Sequence, residues 1–299
     1  MAIGTANGYN NLPSGNWLPA IYSQKVQKFF RTASVVEDIT NTDYAGEIEA
    51  YGDTVNIIKE PTITVSSYTR GAQIAPQNLA DDQIQMVVDQ ANAFAFKVDD
   101  IEERQAHVNW EALATSSGAY ALKDSYDANV IAAMFAGAGT TTGSDGSGAD
   151  VGFGSSEVDP MDILATAAKN LHALDIPTDN RWFLASPEFY EQLGNASSKL
   201  MDASITGDGT SPLRNGSVLN GLVNGFKLYM TNNFAASSTS NYVKVMFGHM
   251  SSTATANAIA KTEVIRDPDS FSDIVRGLHV FGRKVLRSEA LQARHLLID

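Results

Sequence analysis

Hydrophobic positions along the chain change period several times, and each change marks an element. Between residues 46 and 98 the period is two. Asp53-Thr54-Val55-Asn56-Ile57-Ile58 alternates, breaks at Lys59-Glu60-Pro61, and resumes as Thr62-Ile63-Thr64-Val65-Ser66. A turn-rich stretch around Thr69-Arg70-Gly71 follows, and an extended segment returns through Gln83–Val87 to Ala93-Phe94-Ala95-Phe96-Lys97-Val98. Large residues at every second place predict a β-hairpin with arms of about 15 residues, each about 50 Å long if fully extended. A lone two-stranded ribbon is marginal in water, and this one has too many Thr, Asn, Ser and Gln to bury both faces. It needs a surface to lie on, either its own subunit or another copy of the chain.

From 108 to 135 the pattern turns helical. No proline interrupts the run and alanine recurs throughout, which predicts one helix about 40 Å long. Its faces are mixed. One carries Leu113, Ser117, Tyr120, Asp127, Ile131 and Met134; another carries Trp110, Ala114, Ala121, Tyr126 and Val130. The small residues Ala114, Ser117, Gly118 and Ala121 admit close approach of other chain. This spine helix is read as the scaffold of the subunit.

Residues 1–19 are rich in Gly, Asn and Pro and read as an arm containing Trp17. A short amphipathic helix follows, with Ile21, Tyr22, Val26, Phe29 and Phe30 on one side. Residues 136–148 are mostly Gly, Thr and Ser and read as a flexible surface loop. A second unit starts near 158. Asp159-Pro160 opens a helix, 181–185 is a buried strand, Ser186-Pro187 opens another helix, and 225–233 is a strand with a turn. Helix, strand and helix in succession predict an α/β unit. The end of the chain is β-rich, with 254–266 running out, Asp267-Pro268-Asp269-Ser270 turning, and 274–286 returning.

Composition narrows the functional classes. The 299 residues carry a formal net charge of −13, the wrong sign for a protein that grips phosphates. Arg276, Arg283, Lys284 and Arg287 form a local basic patch, with ion pairing inside the sheet as its ordinary explanation. No cysteine is present, which removes thiolate chemistry and disulfides. No apolar run is long enough for a membrane span and the first residues lack a signal-peptide pattern, so a cytosol is expected. The five histidines include no pair at helical ligand spacing, and the glycine-rich loop matches no phosphate-binding pattern. Four carboxylates in Asp99-Asp100-Ile101-Glu102-Glu103 suit the start of the spine helix, whose dipole favours them. Ser186 stands between strand and helix, where a nucleophile could sit, but Pro187 fits helix initiation. No catalytic, metal or cofactor site is expected.

The order of parts resembles the major capsid protein of tailed bacteriophages, whose Hong Kong 97 fold is shared by herpesvirus shells and encapsulins. Gly52-Asp53-Thr54-Val55, the run from Asp89 to Ile101, Asn224-Gly225-Phe226 to Asn233, and Arg266-Asp267-Pro268 with Arg276-Gly277-Leu278 and Phe281-Gly282 carry the likeness. It implies an α+β chain in five parts. These are an N-terminal arm (1–45), an extended loop (46–98), a spine helix and loop of the peripheral domain (99–157), an axial domain (158–241), and a closing peripheral hairpin and C-terminal return (242–299). It implies a structural role: hexamers and pentamers of the chain closing an icosahedral shell around double-stranded DNA, with a separate scaffolding protein and a portal, assembled in the host bacterial cytoplasm. Inter-subunit contacts are then expected at Trp17, Phe29, Phe30, Arg70, Phe94, Phe96, Arg266, Asp267, Asp269 and Arg276. Lys59 and Lys97 are the ribbon lysines, with no sign of a cross-linking role. An encapsulin-like compartment shell has the same fold, and an α/β hydrolase or binding protein is the reading from another class.

Overall fold

The computed structural model describes residues 34–44, 54–59, 61, 63–71, 73, 76–77, 83–99, 110–195, 197–198 and 222–298. The arm, with Trp17, Phe29 and Phe30, and the acidic run from Asp100 to Glu103 lie outside them. Two sheets and one long helix organise the described residues.

The larger sheet has the order β4 (Thr140–Thr142), β12 (Leu291–Ile298), β9 (Tyr242–His249), β6 (Arg181–Ala185), β8 (Phe226–Met230), β7 (Leu222–Val223). The short β5 (Ala149–Val151) also pairs with β12. All five residues of β6 are buried, so both faces of the sheet are covered. On one face Phe183 and Ala185 meet α3 (Pro160–His172) and α4 (Pro187–Leu193) in a core with Phe189, Phe226, Val245 and Phe247. On the other, Trp182 and Leu184 meet α1 (Val36–Ile39) and the last turns of α2 (Trp110–Ala136), through Val36, Ile39, Val130, Ile131 and Met134. The expected α/β unit is therefore present, and it takes β9 and β12 from beyond residue 241.

Local chemistry sets the ends of these elements. Asp159 caps α3 by accepting from the Met161 amide at 2.7 Å, with Pro160 in the first turn. Past its far end, buried Arg181 donates from Nε to the Pro177 carbonyl at 2.7 Å and from Nη2 to that of Ile176. Burial pushes the Arg181 guanidinium below its ordinary value. Ser186 precedes α4 but makes no side-chain capping bond.

The second sheet has the order β10 (Thr253–Arg266), β11 (Ser272–Val285), β3 (Gln90–Asp99), all antiparallel. α2 crosses it, with Tyr126 edge-on to His279 and Phe281. The spine helix thus covers 110–136, close to its expected span, and its mixed faces have a physical cause. Only its C-terminal half is inserted between the two sheets, so Tyr126, Val130, Ile131 and Met134 are buried while Ser116, Ser117 and Ala119 face solvent.

The ribbon differs from expectation. β1 (Thr54–Ile58) pairs with β2 (Gln83–Val87) over five residues each, not about fifteen. Beyond Val88 and Asp89 the return strand leaves its ribbon partner and becomes β3 of the second sheet. Phe94 and Phe96 explain the exchange. Their side of β3 gains cover from α2 and β11, which a bare ribbon could not give.

The glycine-rich segment also departs from a flexible loop. Within it β4 runs parallel to β12, and β5 continues the pairing just beyond. The Gly139 amide donates to the Ser288 and Leu291 carbonyls at 2.9 and 3.0 Å. Asp145 accepts from Ser237 Oγ at 2.6 Å and from Ser238 Oγ at 3.3 Å, tying the loop across to the 234–241 segment. Glycine is needed for close approach: a Cβ at Gly148 would fall 2.5 Å from the His295 carbonyl oxygen. Composition showed the glycines but not the strand they lie against.

Candidate assembly surfaces

The ribbon carries several large exposed apolar residues. Alternation puts Val55, Ile57 and Met86 of β1 and β2 against Ala254, Ala256 and Val280 of the second sheet. Ile58, 80% exposed, lies on the opposite side. Residues 63–69 lie in no described strand, with Ile63, Val65 and Tyr68 exposed, Val65 by 93%. Arg70 is exposed at the turn, followed by Gly71 at φ +86°.

Phe94 and Phe96 stack on one side of β3, ring centroids 6.1 Å apart and nearly parallel. Both are half-buried within their own chain. The Phe94 ring fills the space left by two glycines, Gly118 on α2 and Gly277 on β11.

At the far end of the second sheet the β10–β11 turn is tightly held. Asp267 accepts from Lys97 Nζ, from Ser270 Oγ at 2.7 Å and from the Asp269 amide at 3.1 Å. The Lys97 and Ser270 bonds, with the turn amide, hold its carboxyl well below the usual carboxylate range. Arg266 pairs with Asp273 at 3.1 Å. Phe271 projects from the same turn, 81% exposed. Arg266, Asp267 and Asp269 are thus brought together, and Lys97 of the ribbon's return strand joins them.

Two members of the basic patch have carboxylate partners. Arg276 donates to Glu263 Oε2 at 2.7 and 3.1 Å, and Lys261 pairs with the same carboxylate. Those bonds, Lys261 first, pull the Glu263 carboxyl down to about 2. Arg283 lies 3.5 Å from Asp89. No cluster of metal-ligating side chains occurs among the described residues. His295 comes 3.1 Å from Asp145, and burial lowers its pKa. Among the described residues no helix is long and apolar enough to cross a membrane.

Asp127 had no evident role in the sequence pattern. It is buried in α2 and accepts from Ser34 Oγ at 2.8 Å and the Val35 amide at 3.3 Å, so it fastens the start of α1 to the spine. An acid on the face that also carries Ile131 and Met134 is the signal.

The family model described as phage capsid protein matches residues 84–293, more than half of the chain. The chain belongs to the phage capsid protein family. Solved structures align with most of this capsid protein. A chain of Mycobacterium phage Che8 is 28% identical, with 93% of this chain and 97% of that one covered and a TM-score of 0.76. The capsid structure of the cyanophage P-SCSP1u aligns at 16% identity, 97% and 96% coverage and TM-score 0.72. The capsid of a native GTA particle covers 99% of this chain and 100% of its own, at 14% identity and TM-score 0.66. No curated protein matches. The fold is the Hong Kong 97 phage capsid fold, and the protein is a structural major capsid protein of the virion, which assembles with copies of itself.

Proposed function

We propose that copies of this chain, grouped as hexamers and pentamers, close an icosahedral shell around packaged double-stranded DNA. The observation that carries this reading is the ribbon. Residues 63–69 expose Ile63, Val65 and Tyr68 and pair with no described strand of their own subunit. An apolar arm reaching out of a subunit is stable only when another surface covers it, and in a homo-oligomer that surface belongs to the next copy. By this reading 46–98 is the extended loop, and the 158–241 segment gathers around the five- and six-fold axes.

The interior is electrostatically plain. A net charge of −13, with Arg276 and Arg283 paired to Glu263 and Asp89, suits a wall that encloses DNA without reading its sequence. Packing pressure is borne by protein contacts. A separate scaffolding protein and a portal complete the assembly, which takes place in the host bacterial cytoplasm.

Particles purified from the native source test the reading. After nuclease treatment, intact particles opened by heat release double-stranded DNA, and this chain is their most abundant protein. Particles holding a cargo enzyme in place of a genome would show a compartment shell.

A further inference from the structure

His295 stands where the glycine-rich loop folds over the C-terminal strand. β12 pairs with β4 as far as Arg294, opposite Thr142, and with β5 from Leu296, opposite Ala149. Residues 143–148 span the gap and close over His295. Ser144 and Ser147 exchange backbone hydrogen bonds at 2.6 and 2.9 Å, which makes the turn tight. Gly143, at φ +81°, and Gly148 both run against the His295 carbonyl, where a Cβ would stand 3.2 and 2.5 Å from its oxygen. The imidazole beneath is buried.

Three side chains surround that ring. Phe135 of α2 meets it edge-on, with ring centroids 5.3 Å apart. Asp145, within the turn, brings Oδ1 to 3.1 Å from Nδ1, yet Nδ1 makes no hydrogen bond. Lys244 of β9 is the cross-strand partner of His295, and its ammonium lies 5.5 Å above the same Phe135 ring. The loop thus presents one carboxylate to His295, β9 presents one ammonium, and α2 presents an uncharged ring.

Of these groups only the imidazole changes charge in mild acid, because histidine ordinarily titrates near 6.5 and lysine far above. Asp145 stays ionised, since the Ser237 bond above all holds its carboxyl below 3.8. Protonating His295 in place puts a second cation directly opposite Lys244, in a site with little water. The Asp145 carboxylate offsets part of this, but burial dominates and lowers the His295 pKa. A proton therefore binds the hydrated imidazole of an opened loop better than the covered one. The closed loop is at full strength above 6.5 and weakens as pH falls through 6.5 toward the lowered value.

We propose that residues 143–148 form a proton-operated clasp, closed over neutral His295 at neutral pH and released in mild acid. Release also frees the 234–241 segment, which Asp145 holds through Ser237 and Ser238. The sheet beneath stays in place, because β12 keeps its pairing with β9 over Leu291–Leu297.

Hydrogen exchange of the full chain at pH 7.5, 6.5 and 5.5, corrected for the intrinsic rate at each pH, tests the clasp. Amides of 143–148 should lose protection severalfold between 7.5 and 5.5, followed by those of 234–241, while β9 and β12 keep theirs. His295→Gln, which takes no proton, should hold one level of protection at all three pH values. Lys244→Gln removes the opposing cation and should reduce the acid loss at 143–148. Protection at 143–148 that does not fall with pH in the unaltered chain overturns the proposal, and so does an acid loss that persists in His295→Gln. Should that variant fail to fold, Lys244→Gln decides, because an acid loss equal to that of the unaltered chain contradicts the clasp.

Discussion

The ring of Phe94 occupies the place where Gly277 lacks a side chain. A Cβ added at Gly277 would overlap the ring edge, and one at Gly118 would stand 2.8 Å from it. Strand β3, strand β11 and the spine helix therefore meet at one aromatic ring, and two glycines are the condition for it. Gly277→Ala is expected to destabilise the subunit by about 1–3 kcal/mol, the usual cost of overpacking. Gly118→Ala should cost less, because alanine recovers about 1 kcal/mol of helix propensity. A double-mutant cycle by chemical denaturation checks the cause. With Phe94→Ala in place, Gly277→Ala should lose most of its effect.

Asp127 holds α1 to the spine through two hydrogen bonds made in a buried place. Asp127→Ala should cost about 1–3 kcal/mol, since the Val35 amide loses its acceptor. Asp127→Asn, which keeps an oxygen there, should cost less. The pH dependence has a definite sign. Burial raises the Asp127 pKa above 3.8 in the folded chain, so the folded state holds its proton longer than the unfolded one. Its contribution to stability falls as pH rises from 3.8 through the raised value, then levels. Thermal unfolding across that range should lose this slope in Asp127→Asn.

Glu263 behaves oppositely. Its carboxyl is lowered from 4.5 to about 2 by Lys261 and Arg276. Its pairing is complete above 4.5 and is lost as pH falls toward 2. The group is exposed, so salt weakens the effect. Hydrogen exchange of β10 and β11 amides should quicken between those pH values, and Glu263→Gln should remove the change.

Asp145 joins two surface segments that glycine and serine content alone would leave loose. Asp145→Ala should raise protease cleavage within 143–148 and 234–241 severalfold, with little change in the global unfolding midpoint. Unchanged cleavage would mean that the pairing of β4 and β5 with β12 orders the loop unaided.

Much of this architecture is legible in the residues because it is written in local periods. The proline-free alanine-rich run marks the spine, Asp159-Pro160 marks the start of α3, and the apolar 182–185 that follows Arg181 marks a strand covered on both faces. What stays hidden depends on pairing between distant segments. Nothing in Gln90–Asp99 says that its partner is Ser272–Val285 and not the strand across the nearby turn. Nothing in 140–142 says that three threonines lie along the C-terminal strand. The same holds for the assembly residues. Arg276 and Phe94 are conspicuous in the sequence, yet the structure gives them partners at Glu263 and Gly277 in their own chain. Val264 and Phe271, which stay exposed, carry no signal in the sequence, because an apolar residue in a strand or turn is ordinary until its cover is missing.

The ribbon's role in assembly yields a sharper contrast. Deleting residues 69–81 removes the turn but none of the residues of β1, β2 or the two larger sheets. The subunit should fold with an unaltered unfolding curve and fail to assemble. Normal shells from that deletion would refute the ribbon's part.

The account stands most directly on whether the chain builds a closed surface. Electron microscopy of the purified protein, with light scattering on the same sample, measures this. Closed, uniform particles with icosahedral order, each containing many copies of the 32.0 kDa chain, are the predicted result. A monodisperse monomer at micromolar concentration, with the ribbon free in solution, would contradict it.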